Sequence, residues 1–417
     1  MLTSPAAPRP ILSSQRLAGE VLFTASVLIA LGCHTTPLKG PRLDGAADGT
    51  ANPATDANPV VDAAPEIDAP TVIAGASIFA SGQASPGALA MDGANLYWYN
   101  FGISWVAGPK VQGWSGGQVM KCAKSGCADG PTTLASGRAN SFTSPFVLAT
   151  DGADVVWFDS GVDSASGTQD PIGGMFRCPV VGCGNAPERI SDSSASALAV
   201  AAGNVYWTVY SGEVLTCPFS SCVSAPLALW SIVDETSTTL AVDVALDGTD
   251  VYWTTLGLVM RCGLAGCNNA PTVLVSAAAA VYSLGPIALD TTKVYFGHGL
   301  FADGSTEHPG EIMACAKTGC GDHPAVLATG VDRPVYIATD GTDVYWAELV
   351  MSDSSSSGLG PGMIRRCSVA GCNDTPTMIA SGLTEPISVA VDDQYVYWTE
   401  SGASNTGNDG RIWRALK

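Results

Sequence analysis

Thirteen cysteines, four histidines and a scatter of acids are the residues of this 417-residue chain best suited to chemistry. Twelve of the cysteines form pairs with one spacing, Cys-x-x-x-x-Cys: Cys122 with Cys127, Cys178 with Cys183, Cys217 with Cys222, Cys262 with Cys267, Cys315 with Cys320, and Cys367 with Cys372. Zinc sites bring two such pairs together, with spacers of about two to four residues, and often add histidine. The histidines here, His34, His298, His308 and His323, complete no Cys/His cluster. Oxidation within each pair is the chemistry that remains, and it belongs to an exported chain.

A second set shares a different spacing. Asn100, Asp159, Val209, Thr255, His298, Glu348 and Glu400 each stand two residues past a recurring aromatic position. Acids and a histidine at equivalent positions could hold a divalent cation, mainly through oxygen ligands. A metal-dependent lyase or lactonase using Asp159, His298, Glu348 and Glu400 is therefore the enzymatic reading; the bland one makes them solvated strand ends. Nucleophilic catalysis finds no support, since there is no Gly-x-Ser-x-Gly elbow and no Ser/His/Asp set to propose. No Gly-rich phosphate loop opens a helix, because no helical pattern is evident.

A repeat must position these residues. The aromatic pair recurs as Leu96-Tyr97-Trp98, Val155-Val156-Trp157, Val205-Tyr206-Trp207, Val251-Tyr252-Trp253, Val294-Tyr295-Phe296, Val344-Tyr345-Trp346 and Val396-Tyr397-Trp398, at intervals of 59, 50, 46, 43, 50 and 52 residues. A period of about 40 to 50 residues with several short strands in each copy predicts a β-propeller, one four-stranded sheet per repeat. One copy reads as strand a Val242 to Leu246, strand b Val251 to Thr254, strand c Leu258 to Cys262 and strand d Thr272 to Val275. Asp-Gly between a and b, as in Asp247-Gly248, marks a tight turn. The strand-b aromatics fill the space between neighbouring sheets.

The chain's ends set the blade count. Ser77 to Gly82 resembles a strand d lacking its predecessors, and Arg411 to Ala415 a strand c lacking its successor. Joined, they complete a seventh sheet, giving an all-β, seven-bladed propeller with four-stranded blades whose last blade is closed by an N-terminal strand. Each cysteine pair then staples one c–d turn, worth about 2 kcal/mol in the chain-entropy account, and the pairs sit on separate blades, too far apart for a shared zinc. Ala415 stands where the first cysteine of the last blade would fall.

Before the propeller come two further segments. Arg9 and Arg16 precede an apolar run from Val21 to Leu31, too short to span a membrane but of signal-peptide length. Residues 1–32 read as a signal peptide, 33–73 as a disordered Pro/Ala/Asp-rich tether too poor in large apolar side chains to fold, and 74–417 as the propeller. The net charge of −19, from 19 basic and 38 acidic residues, argues against a nucleic-acid partner.

Two resemblances follow. Ala30-Leu31-Gly32-Cys33 resembles a bacterial lipobox, which implies that Cys33 is lipidated and holds the protein at the cell envelope, in the outer membrane or facing the periplasm. Leu246-Asp247-Gly248 with Val251-Tyr252-Trp253-Thr254, and Val391-Asp392 with Val396-Tyr397-Trp398-Thr399, resemble the YWTD repeat of receptor propellers in strands a and b. Lipobox, tether and propeller together look like bacterial surface lipoproteins.

Function is expected on the face bearing the b–c loops, which vary while the Asp-Gly and cysteine turns repeat. Those loops run Asn100 to Gly117, Asp159 to Gly174, His298 to Gly310, Glu348 to Gly362 and Glu400 to Gly410. Trp105, Trp114, Trp230 and Tyr210, set among Ser, Gly and Asn, suit contact with a protein or glycan of the envelope. The expectation is a monomeric, non-enzymatic binder without a cofactor, a divalent cation entering only in the lyase or lactonase alternative.

Overall fold

The computed structural model describes residues 71–417 with the exception of 74, 108–109, 141–146, 160–161, 164–167, 170–172, 210, 223–225, 232–239, 277–282, 300–309, 322, 351–360 and 403–407. Seven antiparallel blades follow one another, and their innermost strands touch in cyclic order, the first meeting the last. Blade four runs Ala241–Leu246, Asp250–Thr255, Leu258–Gly263 and Thr272–Ser276, strand for strand as the repeat predicts. Blade seven takes Val389–Val391, Tyr395–Glu400 and Gly410–Leu416 from the C-terminal end and Ser77–Gln83 from the N-terminal end. Ser77 pairs with Arg414 and Ile78 with Trp413, so the expected closure is present. Thr71–Val72, inside the stretch read as tether, pairs with Thr377–Leu383 as an extra strand on the rim of blade six.

Aspartate, more than glycine, shapes the a–b turn. Asp247 Oδ1 accepts the N–H groups of Thr249 and Asp250, and its Oδ2 accepts the Tyr252 hydroxyl at 2.9 Å. The same arrangement recurs at Asp92/Tyr97, Asp290/Tyr295, Asp340/Tyr345 and Asp392/Tyr397. Asp290 and Asp392 make it with no glycine following. The side chain thus satisfies donors that the turn would otherwise leave unpaired, and it anchors the next strand through the tyrosine.

The core lies between blades. Trp98, Trp157, Trp207, Trp253, Trp346 and Trp398 are fully buried, each contributing about 4 to 6 kcal/mol of transfer free energy for its apolar area. Side chains alternate along strand b. In blade six, Val344 and Trp346 pack with Tyr295 and Ile312 of blade five, whereas Tyr345 and Ala347 pack with Val396 and Trp398 of blade seven.

The six cysteine pairs are disulfides, Cys122 with Cys127, Cys178 with Cys183, Cys217 with Cys222, Cys262 with Cys267, Cys315 with Cys320 and Cys367 with Cys372, with Cα atoms 5.0 to 5.6 Å apart. The first cysteine of each pair lies in strand c; the second lies past the strand, in the turn. Blade three departs from the others, because a 3-10 helix, Phe219–Ser221, fills the turn before Cys222 and no glycine precedes that cysteine.

These bonds staple their own turns as expected, and both cysteines of each pair also meet the preceding blade. Cys178 and Cys183 pack with Leu134 of blade one, and Cys217 and Cys222 with Ile190 of blade two. Cys262 and Cys267 pack with Leu229 of blade three, Cys315 and Cys320 with Leu274 of blade four, and Cys367 and Cys372 with Leu327 of blade five. Cys122 and Cys127 meet Phe79 of blade seven across the closure. Each disulfide therefore plugs the seam to the preceding blade. In blade seven the equivalent position is the buried Ala415.

Candidate functional site

The set at the ends of the b strands is not solvated. Asn100, Asp159, Thr255, His298, Glu348 and Glu400 are all buried, with accessibilities of 4% or less. At Glu348 and Glu400 the cover is the chain crossing from strand d of one blade to strand a of the next. Glu348 Oε1 accepts the N–H of Asp332 in that crossing at 2.9 Å, while Oε2 accepts the Trp346 indole N–H at 3.1 Å and lies 3.5 Å from Arg365. Burial pushes the Glu348 carboxyl up, against the opposing pull of Asp332 N–H and Arg365. Glu400 repeats the arrangement, accepting Thr384 N–H at 3.2 Å and the Trp413 indole at 2.9 Å, with Arg411 at 3.3 Å.

Polar groups of other kinds serve the same seam elsewhere. Gln83, at the end of the N-terminal strand, accepts from both the Trp98 indole at 2.9 Å and the Asn100 amide at 3.1 Å. Trp207 donates to Ser193 in the crossing from blade two to blade three, at 3.2 Å. Close approach leaves no room for side chains: a Cβ at Gly362 would strike Pro386, and one at Gly410 would strike Pro86.

Asp159, His298, Glu348 and Glu400 stand on blades two, five, six and seven. Among the described residues, no three His, Cys, Asp or Glu side chains converge as a metal site would require. The expectation of solvated strand ends is corrected, because all four side chains are buried. Glu348 and Glu400 instead fasten the incoming crossing to their own blade.

The opposite face carries a second set of interblade links. Lys124 of blade one reaches Asp392 of blade seven at 3.4 Å, Lys317 of blade five reaches Asp247 of blade four at 2.8 Å, and Lys417 of blade seven reaches Asp340 of blade six at 2.6 Å. Burial opposes the charge of Asp247, yet Lys317 and the turn donors hold its carboxyl well below the usual range. Burial and the bond to Asp247 push the Tyr252 phenol up to about 12. The available signal was an Asp five residues before a Tyr, repeated in five blades.

The b–c connections of blades one and two are built from strands. In blade one, strand c extends over Lys110–Ala123, and Ile103–Ala107 folds back along it, with Trp105 opposite Gly113 and Trp114 opposite Ser104. Strand d, Thr132–Asn140, pairs along the same extension as far as Trp114 with Asn140. The connection of blade two contains a small hairpin, Val162–Asp163 with Thr168–Gln169, whose first strand touches this arm. Trp230 is not on a loop: it ends strand d of blade three, Leu227–Trp230, half-buried with its ring 6.0 Å from that of Trp253. Tyr210 and Cys33 lie outside the described residues, as do most of the b–c loops of blades five, six and seven.

No protein-family model and no curated protein matches the chain. Among solved structures it is similar to the β-propeller domain of Cps50 (Swd1) from Myceliophteria thermophila, at 9% identity and a TM-score of 0.54, over 83% of this chain and 100% of that one. It is also similar to the Pan2 WD40 domain from Neurospora crassa, at 10% identity and a TM-score of 0.51, over 82% and 96% of the two chains. At such identity the likeness concerns fold alone, and with the seven closed blades it makes this chain a seven-bladed β-propeller.

Proposed function

We propose that the chain is an exported, membrane-tethered binding propeller that engages a protein or glycan of the bacterial cell envelope through its b–c face, without catalysis. The observation that carries this reading is the strand-built arm of blade one, met by the hairpin of blade two. It places Trp105 and Trp114 on neighbouring rungs of one paired ladder, and tryptophan is a residue type enriched among the anchors of binding surfaces. The disulfides fit an oxidising compartment outside the cytoplasm. Cys33 carries the anchor in this reading, and residues 34–70 supply reach.

The arm is tested by replacing Trp105 and Trp114 together with Ala and measuring retention on isolated envelope material and on a glycan array. Binding unchanged from the parent protein would sink the proposal. Mass spectrometry of the N-terminal peptide, with Cys33→Ser as control, tests the anchor. The reading needs no cofactor and a monomer suffices. Stoichiometric Ca²⁺, Mg²⁺ or Mn²⁺ in purified protein, with a thermal shift on adding the ion, would favour the lyase or lactonase alternative.

A further inference from the structure

An outermost strand leaves one row of backbone N–H and C=O groups without a sheet partner. In blades one, three, four and five the disulfide turn of the following blade covers part of that row. Asn185, in the turn of blade two, accepts the Ser136 N–H of blade one at 2.7 Å, and Asn269 of blade four accepts the Ser231 N–H at the end of strand d in blade three at 2.8 Å. Cys372 of blade six donates its N–H to Leu327 O of blade five at 3.3 Å, where Asp374 also accepts the Thr329 hydroxyl at 3.1 Å. Both sulfurs of Cys315 and Cys320 in blade five lie 3.7 Å from Leu274 O of blade four.

Blade six has no such neighbour. Blade seven takes its strands c and d from Gly410–Leu416 and Ser77–Gln83, so it has no c–d turn and no cysteine pair. Thr71–Val72 stands in its place. Thr71 pairs with Ser381 and Val72 with Ala380, and Ile73 donates its N–H to Ile379 O at 3.0 Å, the carbonyl equivalent to Leu327 O. The edges agree in sequence, Ile379-Ala380-Ser381-Gly382 matching Leu327-Ala328-Thr329-Gly330, with the two glycines at φ 70 and 65°. Val72, Ile73 and Ala76 pack, half-buried, on the seam between blades six and seven. Unlike the other covers, this one is closed by no disulfide. Residues 74–76 join it to Ser77, through a turn in which Ala76 N–H donates to Ile73 O at 3.1 Å and Gly75 takes φ 93°.

We propose that this edge of blade six, Thr377–Leu383, is a strand-receiving site with an exchangeable occupant, so that the Thr71–Ile73 segment of a second copy takes the place of the chain's own. An exchanged segment makes the same pairings as the resident one, and it links two propellers without loss of those contacts. Main-chain pairing supplies the attraction, while the half-buried Val72 and Ile73 select for the segment's own sequence. A three-residue cover without a staple opens more readily than a disulfide turn. The exchange lies on the rim and does not rest on what the b–c arm binds.

The test uses the facing pair Val72 and Ala380. Because Ile73 and Ile379 form a hydrogen-bonded pair, Val72 and Ala380 form a non-bonded one, whose Cα atoms stand about 4.5 Å apart, within disulfide reach. In full-length chains that also carry Cys33→Ser, Val72→Cys and Ala380→Cys are placed together in one chain, or singly in two chains that are mixed and oxidised. Closure of the double variant on itself shows that fold and register are kept. The mixture is expected to give a covalent heterodimer, identified by mass on a non-reducing gel. Adding Ile73→Pro to the Val72→Cys chain removes the N–H that Ile379 accepts, and the yield should fall by about tenfold, or about 1.4 kcal/mol. Excess synthetic peptide of residues 69–76 should lower it in the same way. No heterodimer from a concentrated mixture would overturn the proposal, as would a yield that neither Ile73→Pro nor the peptide changes. A double variant that fails to close would overturn it too, because the resident strand would then not occupy this edge.

Discussion

Lys317 of blade five places its Nζ 2.8 Å from the Asp247 carboxylate of blade four, over the ring of Tyr252 at 5.3 Å. One carboxylate thereby ends a turn, anchors its own strand b and fastens the neighbouring blade. Removing it with Asp247→Ala strands the turn N–H groups and the lysine, and an unfolding free-energy loss of about 1 to 2 kcal/mol is expected. Urea unfolding measures it, and a loss within error of zero would remove the turn carboxylate from the stabilising contacts.

The same group sets the pH limits. Its folded-state value is depressed, so its contribution is present above the unfolded carboxylate range and is lost only as pH falls through the lower folded value. Tyr252 behaves oppositely: its folded value of about 12 lies above the unfolded one near 10, so its contribution is complete below about pH 10 and disappears as pH rises toward 12. Stability should therefore drop between about pH 10 and 12 in the parent protein, and less steeply in Tyr252→Phe. Parallel curves for the two proteins would refute the linkage.

Glu348 is the clearest case of a residue whose position was legible and whose task was not. Its recurrence two residues past the aromatic was visible in sequence, but nothing in a linear pattern reveals that the crossing at Asp332 lies over it. Glu348→Ala should cost about 3 to 5 kcal/mol, because it leaves the Asp332 N–H, the Trp346 indole and Arg365 without their acceptor in a buried seam. Glu348→Gln should restore part of this. Comparing denaturant midpoints decides, and equal midpoints for Ala and the parent would mean that the clamp carries no energy.

The repeat itself was readable because apolar period, aromatic pair and cysteine spacing all recur within one copy, so blade four and the split blade seven appear strand for strand. The pairing of Cys183, Cys222, Cys267 and Cys372 with their near neighbours was equally legible, whereas the leucine or isoleucine that each meets on the preceding blade was not. Gly362 and Gly410, which end the long b–c loops, were visible as boundaries. Their physical reason, the absence of room beside Pro386 and Pro86, depends on residues distant in the chain. Asp243 stood out only as one acid inside the apolar run Ala241 to Leu246, and the bulge that holds it has no local sequence cause. Interblade relations needed the closed ring; intrablade ones did not.

The disulfides should contribute more than loop closure. Replacing Cys315 and Cys320 together with Ala loses about 2 kcal/mol of chain entropy and, in addition, the sulfur packing between Leu274 and Val294, about 1 to 2 kcal/mol by analogy with small core cavities. Chemical denaturation of oxidised protein gives the total. A loss of about 2 kcal/mol or less would place the sulfurs outside the packing of the seam.

Asp243 supplies the sharpest pH dependence. Burial drives its carboxyl up to about 6 despite the Ile287 and Val244 N–H donors. A folded value raised above the unfolded one near 3.9 gives stability that is complete below about pH 4 and is lost as pH rises through 6. The difference corresponds to about 3 kcal/mol at neutral pH. Asp243→Asn removes the titration, so its melting temperature should exceed that of the parent at pH 8 and converge with it at pH 4. Equal melting temperatures at both pH values would show that the Asp243 carboxylate is solvated as freely as one on the surface.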